Sequence, residues 1–177
     1  MAETIILDTN VISALMGPLP VEPVLNWFNG LPLSSFRTTA INEAEIRYGI
    51  ARLPEGRRRR EIALLAEGFL FSILDPLPFD HLAAMRYAEI ASGTEKAGFQ
   101  IDVPDIQIAA IAASRGFSIA TRNEKHFLLC GVTVVNPWLA YSRTAADAAK
   151  PGWLAGLAWN LQQYAGALGP VIKLATG

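Results

Sequence analysis

The apolar run Ile5-Ile6-Leu7 stops at Asp8-Thr9-Asn10, and apolar residues resume at Val11. An apolar run without polar alternation describes a strand covered on both faces, as in a parallel sheet flanked by helices. Asp, Thr and Asn are all helix-capping residues, so the chain is expected to leave a buried strand at residues 4–7 and enter a helix near Asp8. A carboxylate at such a junction has two readings, a helix cap or part of a site. The rest of the chain has to choose between them.

The same alternation continues downstream. Gly17, Pro18 and Pro20 break the chain, and Val24, Leu25, Trp27 and Phe28 describe a short amphipathic helix ending near Gly30. Residues 33–38 are expected as a second strand. A helix over about 41–53 turns at Pro54-Glu55-Gly56, and another follows from Arg57 to about Phe71, with Ile62, Leu65 and Phe69 on one face. Asp80 caps a long helix reaching Lys96 and closed by Gly98. Pro104 suits the first turn of the next helix. Ile108, Ala109, Ile111 and Ala112 make that helix apolar almost all round, hence buried, and Gly116 ends it. Residues 117–120 and 132–135 complete the strands. Strands alternating with helices imply an α/β fold with a parallel central sheet flanked by helices on both sides.

Ligands in open parallel sheets gather at the carboxyl ends of the strands. Asp8 follows the first strand, and Thr121, Arg122 and Asn123 follow the strand at 117–120. The acidic candidates for a site there are Asp8, Glu43 or Glu45, and Asp102 or Asp105. A carboxylate cluster favours hard, oxygen-loving cations such as Mg²⁺ or Mn²⁺. Such ions activate water and neutralise charge in phosphodiester cleavage. Each candidate also has a plainer reading. Asp8 can cap a helix, Glu45 can close a capping box with Asn42, Asp105 suits a first helical turn, and Thr121 and Asn123 are ordinary turn residues.

Composition narrows the classes. Across 177 residues, 15 basic and 16 acidic side chains leave a net charge of −1, which excludes coating nucleic acid by bulk charge but not acting on it. A single cysteine, Cys130, excludes an internal disulfide and a Cys-based zinc site. The start MAETIILD has no signal-peptide pattern and no apolar run is long enough to span a membrane, so a cytoplasmic protein is expected.

LDTNVISAL at 7–15, AEIRYGIARLPEG at 44–56, PDIQIAAIA at 104–112, IATRN at 119–123 and VNPW at 135–138 resemble, in order, the PIN-domain ribonuclease toxins of the VapC/FitB-like type. The resemblance covers nearly all of residues 4–138. It implies a PIN-like fold over residues 1–138 and a separate C-terminal extension over 139–177. It also implies an Mg²⁺- or Mn²⁺-dependent endoribonuclease, the toxin of a type II toxin–antitoxin pair, leaving 5′-phosphate and 3′-hydroxyl ends. By position in the motifs, Asp8, Glu45 and Asp105 become the metal ligands and Asn123 the fourth catalytic position, with Asn10 and Thr121 in support. The implied partners are RNA, a cognate antitoxin, a second copy in a homodimer, and operator DNA reached through the antitoxin. Relatives often carry an Asp-Phe pair after TRN, where this chain has His126-Phe127; Glu124 is a candidate to compensate.

Alternatives remain at this level. A degenerate PIN domain would bind antitoxin or RNA without cutting. A haloacid-dehalogenase-type phosphatase also starts with strand-Asp, but its second aspartate would fall at Asn10. The arginines at 57–60 are read chiefly as a solvated helix start, with Arg57 and Arg58 candidates for RNA contact and Arg47 for orienting a carboxylate or meeting a partner. His81 and His126 are expected on the surface or in turns, and Cys130 in packing. The extension carries a net charge of +2 against −3 for residues 1–138, and the spacing of Trp153, Leu157, Leu161, Tyr164 and Leu168 suits an amphipathic helix.

Overall fold

The computed structural model describes residues 3–17, 21–72 and 76–139. The expected helix in the C-terminal extension lies outside them. Strand β1 (Ile5–Leu7) leads directly into helix α1 (Thr9–Met16), and α2 (Glu22–Asn29) follows. The second strand is shorter than expected. Residues Leu33–Ser35 form a 3-10 turn behind Pro32, and only Phe36–Arg37 pair as β2. Helices α3 (Ala40–Ala51), α4 (Arg57–Ser72), α5 (His81–Lys96) and α6 (Val103–Ala113) come next. Strand β3 (Ser118–Ala120), a short helix α7 (Glu124–Leu129) and strand β4 (Val134–Val135) complete the order. Helix α7, in which Phe127 is buried, was not anticipated; its six residues are too few for a clear helical period.

The sheet has order β2-β1-β3-β4 and every pairing is parallel. Strand side chains alternate between faces, and the sheet sorts them into two cores. Ile5, Leu7, Phe36 and Ala120 pack with Val11, Ile12, Leu15, Phe28 and Phe69. Ile6 and Ile119 face the other way, against Ile106, Ile108, Ile111 and Phe127. Both faces are therefore covered, which is why β1 reads as an unbroken apolar run. Phe28 stacks on Phe36 with ring centroids 4.3 Å apart, joining α2 to the edge strand.

Capping explains several boundaries. Asp80 accepts from the Ala83 amide at 3.0 Å and opens α5; the Arg115 guanidinium pairs with its other oxygen at 2.7 Å, tying α5 to the end of α6. Pro104 occupies the first turn of α6, and Gly116, with φ 66°, turns the chain back toward β3. Cys130 is buried in the second core, where burial pushes its thiol up to about 11, as befits a packing residue. Among the described residues no helix is long and apolar enough to cross a membrane.

Candidate active site

The site is built at the carboxyl ends of the two central strands. Backbone pairing continues one step past each strand: the Asp8 amide donates to the Ala120 carbonyl at 3.0 Å, and the Thr121 amide to Val135 at 2.9 Å. These bonds set Asp8 and Thr121 side by side. Asp8 is only 5% exposed. Its Oδ1 accepts from the Thr9 amide at 2.7 Å, and its Oδ2 from Thr121 Oγ1 and Asn10 Nδ2, each at 2.6 Å. Cap and site are thus not alternatives here, because the same carboxylate opens α1 and faces the strand ends.

Burial raises the Asp8 carboxyl to about 6, against the hydrogen bonds from Thr121 and Thr9 that lower it; the charges of Asp105 and Glu45 raise it further. Carboxylates brought together without a metal repel one another. That repulsion is felt, but desolvation is the larger cause.

Glu45 enters from α3. The capping box expected between Asn42 and Glu45 is instead made by Thr39 and Asn42, whose side chains and amides bond reciprocally. Position accounts for the correction: α3 starts at Ala40, which places Asn42 at its third residue and Glu45 a turn further on. Asn42, fully buried, also donates from Nδ2 to Thr9 Oγ1 at 3.1 Å, and Thr9 Oγ1 donates to Glu45 Oε2 at 2.5 Å. Three elements, β2's exit, α3 and α1, are joined through this one chain of polar contacts.

Asp105 stands in the first turn of α6. Its Oδ2 meets Asn123 Nδ2 at 3.2 Å and His126 Nδ1 at 2.7 Å. Asn123 holds the junction together, since its amide donates to Thr121 Oγ1 at 2.9 Å. Asn10 completes it, donating to Thr121 Oγ1 at 3.0 Å and accepting the Arg122 amide at 3.1 Å.

The other candidates separate from this group. Asp102 caps α6 from an exposed position and makes no side-chain cap bond. Glu43 pairs with Arg47 at 2.7 Å along α3. Arg47 also pairs with Glu67 of α4, so it orients surface carboxylates and not Glu45; the two-residue separation of Glu45 and Arg47 places them on different faces of α3. Glu124 is engaged by Asn136 Nδ2 at 2.6 Å. Arg57 pairs with Glu61 at 2.6 Å, and Arg58 is exposed at the start of α4.

His126, expected on the surface or in a turn, is partly exposed but pairs with a candidate carboxylate. It lies on α7, the helix that sequence periodicity missed, and α7 carries it against Asp105. The signal was its position three residues after Asn123, one helical turn from the strand end. Trp138 was also unassigned; the Arg122 guanidinium lies over its ring, 5.8 Å from the centroid.

Asp8, Glu45 and Asp105 present only oxygen donors, the chemistry suited to a hard divalent cation. The hydrogen bonds they accept from side chains leave oxygen lone pairs over, since those to Glu45 fall on Oε2 and those to Asp105 on Oδ2. A buried carboxylate raised to about 6 beside two further carboxylates lacks the positive charge that a cation would bring. Donor type and electrostatics fit a metal, although among the described residues no three His, Cys, Asp or Glu side chains close around one point.

The PIN domain family profile matches residues 5–130. The chain belongs to the PIN-domain family. The matched span of this PIN domain runs from β1 to the end of α7 and contains all three candidate carboxylates. The "VapC ribonuclease Y4jK" of Sinorhizobium fredii is 38% identical over 136 residues, covering 76% of this chain and 97% of that protein. "Toxin FitB" of Neisseria gonorrhoeae is 37% identical over 136 residues, covering 76% and 98%. Among solved structures, FitAB bound to an IR36 DNA fragment superposes with a TM-score of 0.73 at 36% identity, over 80% of this chain and 100% of that one.

Proposed function

We propose that this PIN domain is an endoribonuclease, the toxin of a type II toxin–antitoxin pair, and that it depends on Mg²⁺ or Mn²⁺. The observation that carries the reading is the arrival of Asp8, Glu45 and Asp105 from three separate elements at one end of the sheet, where Asp8 feels the charge of both others. The relatives named for ribonuclease and toxin activity support it.

Asp8, Glu45 and Asp105 would hold the cation. Once bound, a divalent cation lowers the pKa of a water and neutralises charge developing on a phosphodiester. The remaining work belongs to the chain. Thr121, Asn10 and the Thr9 amide hold both oxygens of Asp8 in one orientation. The Thr9 hydroxyl, steadied by Asn42, holds Oε2 of Glu45. Asn123 holds Asp105 and is the fourth member of the group. A phosphatase with Asp8 as nucleophile is disfavoured, because its second acid is replaced by Asn10, whose amide donates to Asp8 Oδ2.

On this reading residues 1–138 form the catalytic domain and 139–177 an extension to it. Exposed Arg57 and Arg58 are candidates for RNA docking, and Arg47 for partner contact. The partners are RNA, a second copy of the chain, and an antitoxin. The FitAB–DNA complex supports an assembly that reaches operator DNA through the antitoxin. The compartment is the cytoplasm, where RNA and a co-produced antitoxin meet.

Total RNA incubated with the purified chain tests this, with Mg²⁺, Mn²⁺ or EDTA and alongside Asp8→Asn. Metal-dependent cutting that leaves 5′-phosphate ends and vanishes in D8N is expected. A folded, metal-loaded, antitoxin-free chain that cuts nothing would make it a binding-only domain.

A further inference from the structure

Arg122 stands in the chain between two members of the site, and its side chain leaves in another direction. Thr121 turns its hydroxyl onto Asp8, and Asn123 turns its side-chain amide onto Asp105. The Arg122 guanidinium lies instead over the Trp138 ring, 5.8 Å from the centroid. Both ends of this contact are anchored. The Arg122 amide donates to Asn10 Oδ1 at 3.1 Å. Trp138 packs against the first core, and its amide donates to Asn136 Oδ1 at 3.0 Å. Asn136 Nδ2 donates in turn to Glu124 Oε1 at 2.6 Å, so the acid two residues from Arg122 is engaged elsewhere. Among the described residues no carboxylate pairs with Arg122, whereas Arg47, Arg57, Arg86 and Arg115 each hold one. Arg122 is exposed. The edge of the carboxylate group thus carries a fixed guanidinium whose donors have no acidic partner.

We propose that Arg122, resting on Trp138, binds an RNA phosphate next to the one that is cleaved and so positions the substrate at the carboxylates. The inference rests on the ribonuclease reading above and deepens it. A guanidinium presents paired N–H donors in one plane, which match two phosphate oxygens, and it can lie on an aromatic face while doing so. A cluster of carboxylates repels a polyanion, and a cation at its edge offsets that repulsion where the strand enters or leaves. The side-chain direction selects the phosphate. Thr121 and Asn123 face the carboxylates and Arg122 faces Trp138, so its guanidinium meets the flanking strand and not the bond cut beside Asp8. An acidic protein segment could use the same donors; their place beside a phosphodiester-cleaving group favours RNA.

The test uses the full-length chain as wild type, R122Q, R122K and K125Q, with circular dichroism to confirm folding. Binding of a fluorescein-labelled single-stranded RNA is followed by anisotropy in EDTA, and steady-state cleavage of the same RNA is measured with Mn²⁺. R122Q should weaken binding and raise KM on the order of tenfold, the loss of one charge-assisted contact, with kcat changed less. Its slope of log affinity against log salt should be shallower by about 0.7. R122K keeps the charge but not the planar fork and should fall between R122Q and wild type. Lys125 is exposed three residues on, and K125Q should stay within about twofold of wild type. Equal losses in R122Q and K125Q would make Arg122 one of several diffuse charges and overturn the proposal. Wild-type binding and KM in R122Q would overturn it too and leave the ribonuclease reading standing; KM decides alone where metal-free binding is weak. A fall in kcat with KM unchanged would move Arg122 to the cleaved phosphate and overturn the flanking assignment. A wild type that neither binds nor cuts RNA would overturn both readings.

Discussion

Thr121 Oγ1 donates a 2.6 Å hydrogen bond to Oδ2 of Asp8 across 113 residues of sequence. The same hydroxyl accepts from Asn10 and from the Asn123 amide, so one small side chain joins the ends of both central strands to the loop that reaches Asp105.

Thr121→Val keeps the shape of this side chain and deletes its hydrogen bonds. With Asp8 buried and ionised at pH 7, loss of a donor to a charged group should cost about 1.5–3 kcal/mol of stability. Urea unfolding of the EDTA-treated protein measures this. RNA cleavage should fall in the same variant, because Asp8 and Asn123 lose their common partner.

The stability of the metal-free chain should depend on pH through Asp8. Its carboxyl is raised from an ordinary 3.8 to about 6, so the folded state binds that proton more tightly than the unfolded chain. The contribution is greatest below about pH 4, falls as pH climbs from about 4 to about 6, and is flat above. Asp8→Asn should abolish this slope and stabilise the metal-free protein at pH 7, by up to about 3 kcal/mol from a shift of that size. A slope equal in wild type and D8N would show that another group is responsible. In wild type alone, added Mn²⁺ should raise the melting temperature.

Asn42→Ala separates the two neighbouring glutamates. It breaks the capping box and the contact that steadies Thr9 beside Glu45. A stability loss of about 1–2 kcal/mol is expected from the cap alone, together with impaired cleavage. Glu43→Gln removes a partly exposed pair to Arg47 and should change stability by less than about 1 kcal/mol, with cleavage intact. Chemical denaturation and RNA cleavage on both variants check the contrast.

Substituting Arg57 and Arg58 together by Ala tests the docking role of the α4 start. If these side chains meet RNA phosphates, the double variant binds RNA more weakly, and the slope of log affinity against log salt becomes shallower by about 0.7 for each lost contact on a single strand. An unchanged slope would leave them as a solvated helix start.

Much of this architecture was legible in the residues because local rules act there. The apolar run 5–7, the Asp80 cap, Pro104 and the glycine turns mark the elements to within a few residues. Asp8, Glu45 and Asp105 stand out in ordered motifs, so the composition of the candidate site can be written down from sequence. Burial of one face against another, and contacts between distant segments, follow no local rule. The second strand shrank to Phe36–Arg37 because pairing with Ile5 and Ile6 decided its length. Glu45 reached the site because Thr39, not Glu45, partnered Asn42 in the box, freeing it for a hydroxyl 36 residues away. His126 looked peripheral until α7 turned it onto Asp105. The sequence determined by itself which side chains were available and which elements carried them. Only the tertiary structure decided which of them meet, since hydrogen bonds between strand ends and helix starts depend on packing that brings distant residues within 3 Å or so of each other.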